Sequence, residues 1–157
     1  MGRASRLAFE EARPGDLTCG PFRLRLARVR HSVETYAVRV EDDRGSLTYT
    51  GDSGPCRELV EPARGSGVLL AEAALGPGDE PGAPPTRWDE DHTAAAPHHL
   101  TARQAAELAS LAGVGLLALT HVRPWDDAGL ALVAARCPAP VLLARPEPRL
   151  TPPVEPR

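Results

Sequence analysis

Six short apolar segments have strand character, and what separates them changes halfway along the chain. The first three, residues 22–30, 36–40 and 47–49, follow one another with only turns between them. The last three, residues 68–71, 116–119 and 141–144, are each reached through a helical pattern. A meander that becomes strand–helix alternation, β-β-β-α-β-α-β-α-β, predicts an α/β (α+β) fold. It should be one mixed sheet covered by helices. The 157 residues suit a single domain.

Local signals place the elements. Tyr36, Val38 and Val40 alternate, and the turn Asp42-Asp43-Arg44-Gly45 leads into Leu47 and Tyr49, as in an antiparallel hairpin. In the first strand the apolar phase shifts from Phe22, Leu24 and Leu26 to Ala27 and Val29, which a bulge or a strand end would explain. Pro55 suits a first helical position, and Pro62 should keep that helix short. Thr101 and Gln104 have capping-box spacing, Ala105, Leu108, Ala109 and Ala112 follow at helical intervals, and Gly113 suits the C-cap. A further helix is expected over residues 126–136, with acid at its start and Arg at its end. Residues 1–21 read mostly as a loop lead-in, 22–144 as the domain, 76–98 as a long loop, and 145–157 as a disordered Pro/Arg tail.

Composition excludes several classes. The net charge of −3 supplies no broad basic field for DNA. Arg23 and Arg25 face opposite to Arg28 and Arg30 at strand period, so they form no single patch. No apolar run approaches the roughly 20 residues of a membrane span. Cys19, Cys56 and Cys137 are scattered, with no C-x-x-C, which argues against a zinc ribbon or redox motif. Without a signal-peptide pattern, they point to a reducing cytoplasm.

Three strand segments end on metal-ligand residue types: RLRLARVRH at His31, SLTYTGD at Asp52 and GLLALTH at His121. Ligands of open α/β sheets gather beyond the carboxyl ends of strands. Zinc takes imidazole nitrogen and carboxylate oxygen, and a carboxylate can bridge two ions. His99 precedes the capped helix and could donate a proton to a leaving group. Glu72 ends another strand and could orient His99 or simply hydrogen-bond the loop. His92 and His98 read as solvated loop residues, Trp125 and Asp126 as a pocket wall or helix staple, and Ser53, outside any G-x-S-x-G, as a turn or cap residue.

Taken in order, ARVRHSVETYAVRVE, LTYTGDSG, VLLAEAAL, HHLTARQAAELA and LLALTHVRPWDD resemble the metallo-β-lactamase-fold hydrolases. The similarity is to the ribonuclease Z-like branch and its actinobacterial cyclic-nucleotide phosphodiesterases, and it covers roughly residues 14–144. It implies the C-terminal half of an αββα sandwich holding two zinc ions. His31 then matches a ligand of the first metal, Asp52 the aspartate bridging both, and His121 a ligand of the second. His99, supported by Glu72, matches the residue that protonates the leaving group. The implied reaction is hydrolysis of a small phosphodiester, a cyclic nucleotide or an RNA 3′ end.

The family's H-x-H-x-D-H stretch is absent from these 157 residues. The chain is therefore expected to be truncated, to hold zinc weakly, and to be inactive alone. The sheet face that would meet a partner sheet should be bare. Homodimerisation, pairing with a missing N-terminal half, or life as a non-catalytic remnant would each cover it.

Overall fold

The computed structural model describes residues 11–76, 78, 86–88, 97–122 and 127–144. Strands β1 (Gly15–Cys19), β2 (Phe22–Val29), β3 (Thr35–Asp42), β4 (Gly45–Tyr49), β5 (Val68–Glu72), β6 (Leu117–Thr120) and β7 (Val141–Leu143) form one sheet in chain order. The pairs from β1 to β4 are antiparallel and those from β4 to β7 parallel. Helices α1 (Val60–Ala63), α2 (Ala102–Ala112) and α3 (Asp127–Ala134) lie on the connections between the parallel strands, as βαβ crossovers require. The expected mixed sheet with helices on one face is what the chain forms.

Three details differ from the sequence expectation. Residues 15–19 are a strand, although all five are exposed. Leu17 is the lone large aliphatic there, so no alternation marks the segment, and pairing with β2 alone holds it. β2 pairs with β3 in unbroken register from Arg23↔Glu41 to Val29↔Thr35, which rules out a bulge. The phase shift arises because Leu24 and Leu26 face one side of the sheet and Ala27 and Val29 the other. Pro55 does not open a helix. A 3₁₀ turn over Arg57–Leu59 leads into α1, and Pro62 sits within that single turn, where its missing N–H leaves no helical bond unmade.

α2 is built as its signals require. Thr101 accepts from the Gln104 amide, Gln104 returns the bond to the Thr101 amide, and Gly113 closes the helix at φ +65°. All three helices pack on the same face. Leu59, Leu100, Leu108 and Val133 bury against Ala37, Leu69, Ala71, Leu117 and Leu119. The opposite face carries Leu24, Leu26, Val38, Val40, Leu47 and Leu70, half-buried, with Val68 and Ala118 buried and Leu17 and Phe22 exposed at its margin. Among the described residues no helix covers it. The clean alternation of β3 points its apolar phase toward this open side. Its other phase puts Arg39 beneath α1, where the guanidinium donates to the carbonyls of Pro62 and Arg64.

His92, Trp125, Asp126 and the 145–157 tail lie outside the described residues, as does most of the 76–98 loop. Among those described, no helix is long and apolar enough to cross a membrane.

Candidate metal centre

The alternation of strand directions leaves β2, β4, β5 and β6 pointing the same way. Their carboxyl ends therefore share one rim of the sheet, and His31, Asp52, Glu72 and His121 each stand at or just past such an end. The turn into α2 brings His99 to the same rim. The imidazole of His99 lies between two others, with ring centroids 5.0 Å from His31 and 5.4 Å from His121, both edge-on.

Glu72 is the buried anchor of the rim. It has no solvent exposure, and both carboxylate oxygens are engaged. Oε1 accepts from the Ser53 amide at 2.9 Å and from His99 Nδ1 at 2.8 Å, and Oε2 accepts from the Ala74 amide at 3.0 Å. Glu72 thus both orients His99 and binds the loop; the two roles weighed from sequence coexist. With Nδ1 donating to Glu72, His99 presents Nε2 to the rim.

His31 has a partner that the sequence left unused. Its Nδ1 lies 3.0 Å from the carbonyl oxygen of His98, a contact that fixes Nε2 as the outward nitrogen when Nδ1 carries the proton. The His98 ring, read from sequence as solvated, is exposed and edge-on to His31 at 6.1 Å. The segment bearing His98 and His99 is pressed onto the strand-end loop at Gly54. A Cβ there would sit 1.8 Å from the Pro97 carbonyl oxygen. Gly54-Pro55 reads from sequence as the start of a helix, and nothing in the local pattern announces this distant contact.

His121 adopts φ +52°, the left-handed region, which suits His better than most non-glycine residues. Its Nδ1 stands 3.2 Å from Asp52 Oδ1. Asp52, His99 and His121 each offer one ligand atom within 4.8 Å of the other two. His31 joins no such group among the described residues. Of the three expected ligands, the structure clusters Asp52 and His121, joined by the expected proton donor His99, and sets His31 beside His99.

Burial shapes the chemistry beneath the rim. It pushes the Tyr49 phenol up, helped by the nearby carboxylates of Asp52 and Glu72. It also pushes the Cys56 thiol up, against hydrogen bonds including one with Ser53. Ser53 is buried, with Oγ donating to the Gly54 carbonyl at 2.7 Å, so its place is in the turn. Cys19, Cys56 and Cys137 are all free thiols.

The sequence that builds this rim has relatives among known proteins. The family described as the beta-lactamase superfamily domain matches residues 5–122. The chain belongs to that superfamily. An uncharacterized protein of Mycobacterium leprae is 40% identical over 100 residues, covering 63% of this chain and 31% of its own length. Ribonuclease Z of Methanothermobacter thermautotrophicus is 37% identical over 96 residues, covering 60% and 28%. The crystal structure of the metallo-beta-lactamase fold protein YhfI from Bacillus subtilis superposes with a TM-score of 0.67 at 26% identity, over 88% of this chain and 52% of that one. The chain thus spans about a third of the length of the curated relatives it matches.

The superfamily implies metal ions, and the donor set here fits them. Two imidazoles and a carboxylate are hard-to-borderline donors suited to zinc, and the second nitrogen of one of those imidazoles, His99, is held by the Glu72 carboxylate.

Proposed function

We propose that this chain carries one side of a zinc-dependent phosphodiesterase site and that, alone, it does not turn over substrate. The observation that carries this reading is the Glu72–His99 pair beside His31, Asp52 and His121. His31, Asp52 and His121 would hold the ions, with Asp52 shared. Bound zinc supplies Lewis acidity toward a phosphoryl group and makes water a better nucleophile near neutral pH.

The chain's own residues do the rest. His99, protonated on both nitrogens, gives its Nε2 proton to the departing oxygen as the P–O bond breaks. Glu72 keeps Nδ1–H in place and stabilises the charged ring, much as the carboxylate of a catalytic triad does. Ser53 and Ala74 hold Glu72 through their backbone amides, so the proton donor is fixed by sheet-borne groups.

The substrate class is a small phosphodiester, with cyclic nucleotides ahead of RNA ends. The net charge of −3 disfavours tracking a long phosphate backbone. Relatives named ribonuclease Z and ribonuclease BN support RNA ends as the alternative.

The test compares the chain alone with the chain fused to a segment bearing H-x-H-x-D-H from another superfamily member. With zinc and bis(p-nitrophenyl) phosphate or 3′,5′-cyclic AMP, the chain alone should be silent. The fusion should turn over, and His99→Ala should slow it by about 10²–10⁴-fold. Turnover by the chain alone, or a silent fusion that binds zinc, overturns the proposal.

The sheet face that carries no helix among the described residues, with Leu17 and Phe22 exposed at its margin, supports a second function, a non-catalytic half-domain that pairs with a second copy or another chain. A stable metal-free dimer in light scattering, together with a silent fusion, would favour it.

A further inference from the structure

We propose that this chain, with no other polypeptide, binds one divalent metal ion through Asp52, His99 and His121, with His99 as a ligand and His31 left outside. The binding stands on geometry alone. Its consequence for turnover rests on the function proposed above.

The three residues are the group whose ligand atoms converge, all within 4.8 Å of one another. An ion about 2.1 Å from each donor sets the donors about 3.4 Å apart. Asp52 Oδ1 and His121 Nδ1 are already 3.2 Å apart, and both side chains are partly exposed, with room to turn. Glu72 holds His99 Nδ1 at 2.8 Å, leaving the Nε2 lone pair for an ion. Glu72 is itself tied to two backbone amides, so it stays behind His99 rather than swinging forward as a ligand. His31 joins no such three-atom group among the described residues. Two imidazoles and one carboxylate leave open positions on the ion, as in catalytic zinc sites or the two-histidine, one-carboxylate sites of iron.

Nε2 of His99 cannot ligate an ion and carry a proton at the same time. The one-ion state therefore withholds the proton donor. Further ligands supplied from outside the chain would draw the ion away and return His99 to proton transfer. Inactivity of the lone chain then has a second cause besides missing ligands: its donor is occupied.

The test uses the full chain, stripped with a chelator and titrated with Co²⁺ or Zn²⁺. Stoichiometry is read by metal analysis after desalting, and ligand identity by long-range ¹H–¹⁵N spectra of the imidazoles. One ion per chain is expected, with the His99 and His121 ring nitrogens shifting on Zn²⁺ and those of His31 holding still. His99→Asn, which keeps a polar group beside Glu72, should weaken binding roughly tenfold or more, whereas His31→Ala should change it little. Circular dichroism confirms that both variants fold. Two ions per chain, no retained ion, or unshifted His99 resonances beside shifted His31 ones overturns the proposal. Shifted His99 resonances with a silent fusion would sink the hydrolase function and keep this site. Turnover by the fusion with unshifted His99 resonances in the lone chain would do the reverse.

Discussion

Glu72 and Gly54 are the residues on which the rim depends most, and neither touches an ion in the proposed arrangement. Glu72→Ala leaves the Ser53 and Ala74 amides and His99 Nδ1 without their acceptor in a buried place. A buried donor left unmet costs about 1–3 kcal/mol, so urea unfolding should show a loss of at least that size. Glu72→Gln, which keeps one oxygen, should lose less. Gly54→Ala forces a methyl group into the Pro97 carbonyl, so the segment carrying His98 and His99 has to move. Both zinc affinity and the melting temperature should fall, and calorimetry with and without zinc reads the two effects. The residue types of the site were legible in the sequence because strand ends advertise themselves: an apolar run, then His or Asp. The contact of Glu72 with His99 was legible in outline for the same reason. What could not be read were contacts across large sequence gaps that leave no periodic trace, such as the His98 carbonyl on His31 or Pro97 against Gly54.

At the scale of elements, α2 is the piece whose start sets the position of His99. Thr101→Ala removes the hydroxyl that accepts from the Gln104 amide and should cost about 1 kcal/mol by chemical denaturation. The same variant should loosen the His99–Glu72 contact two residues upstream. The buried thiols under the helices make a separate prediction. Burial pushes Cys56 and Cys137 above their ordinary value, so the folded chain keeps protons that the unfolded chain releases above about pH 8.5. That stability is full below the unfolded value and is lost as pH rises toward the folded one. The urea midpoint should therefore fall from pH 8 to 10, and Cys56→Ala should flatten the decline. Elements with a buried face were readable, since α2 and β3 to β6 each show a period and a cap or turn. β1 was not. Its residues are exposed on both faces, and what stabilises it is ladder hydrogen bonding and the Arg25–Asp16 pair, neither of which has a hydrophobic signature.

For the whole molecule, the dominant feature is a sheet whose helices, among the described residues, all lie on one side. Leu26 and Val40 lie on the open side, half-buried among neighbours of the same sheet. A charge there should raise solubility and reduce self-association with little effect on the helix-covered core. Leu26→Lys measured by light scattering and dye binding checks this: an unchanged mass at all concentrations would mean that the open face does not drive association. One-sided covering was implied by the meander-then-alternation order, because three crossovers of one hand place their helices on one face.

The placement of every site residue at the end of a strand or the start of a helix has a consequence for change over evolutionary time. His31, Asp52, Glu72, His99 and His121 are spread across 91 positions, yet each hangs from a rigid strand or a capped helix. The sheet can be kept while its fringe is rewritten. Replacing the last residue of one strand alters what the rim can hold without disturbing the register of its neighbours. A scaffold of this kind can lose its chemistry long before it loses its shape, and can regain it one side chain at a time.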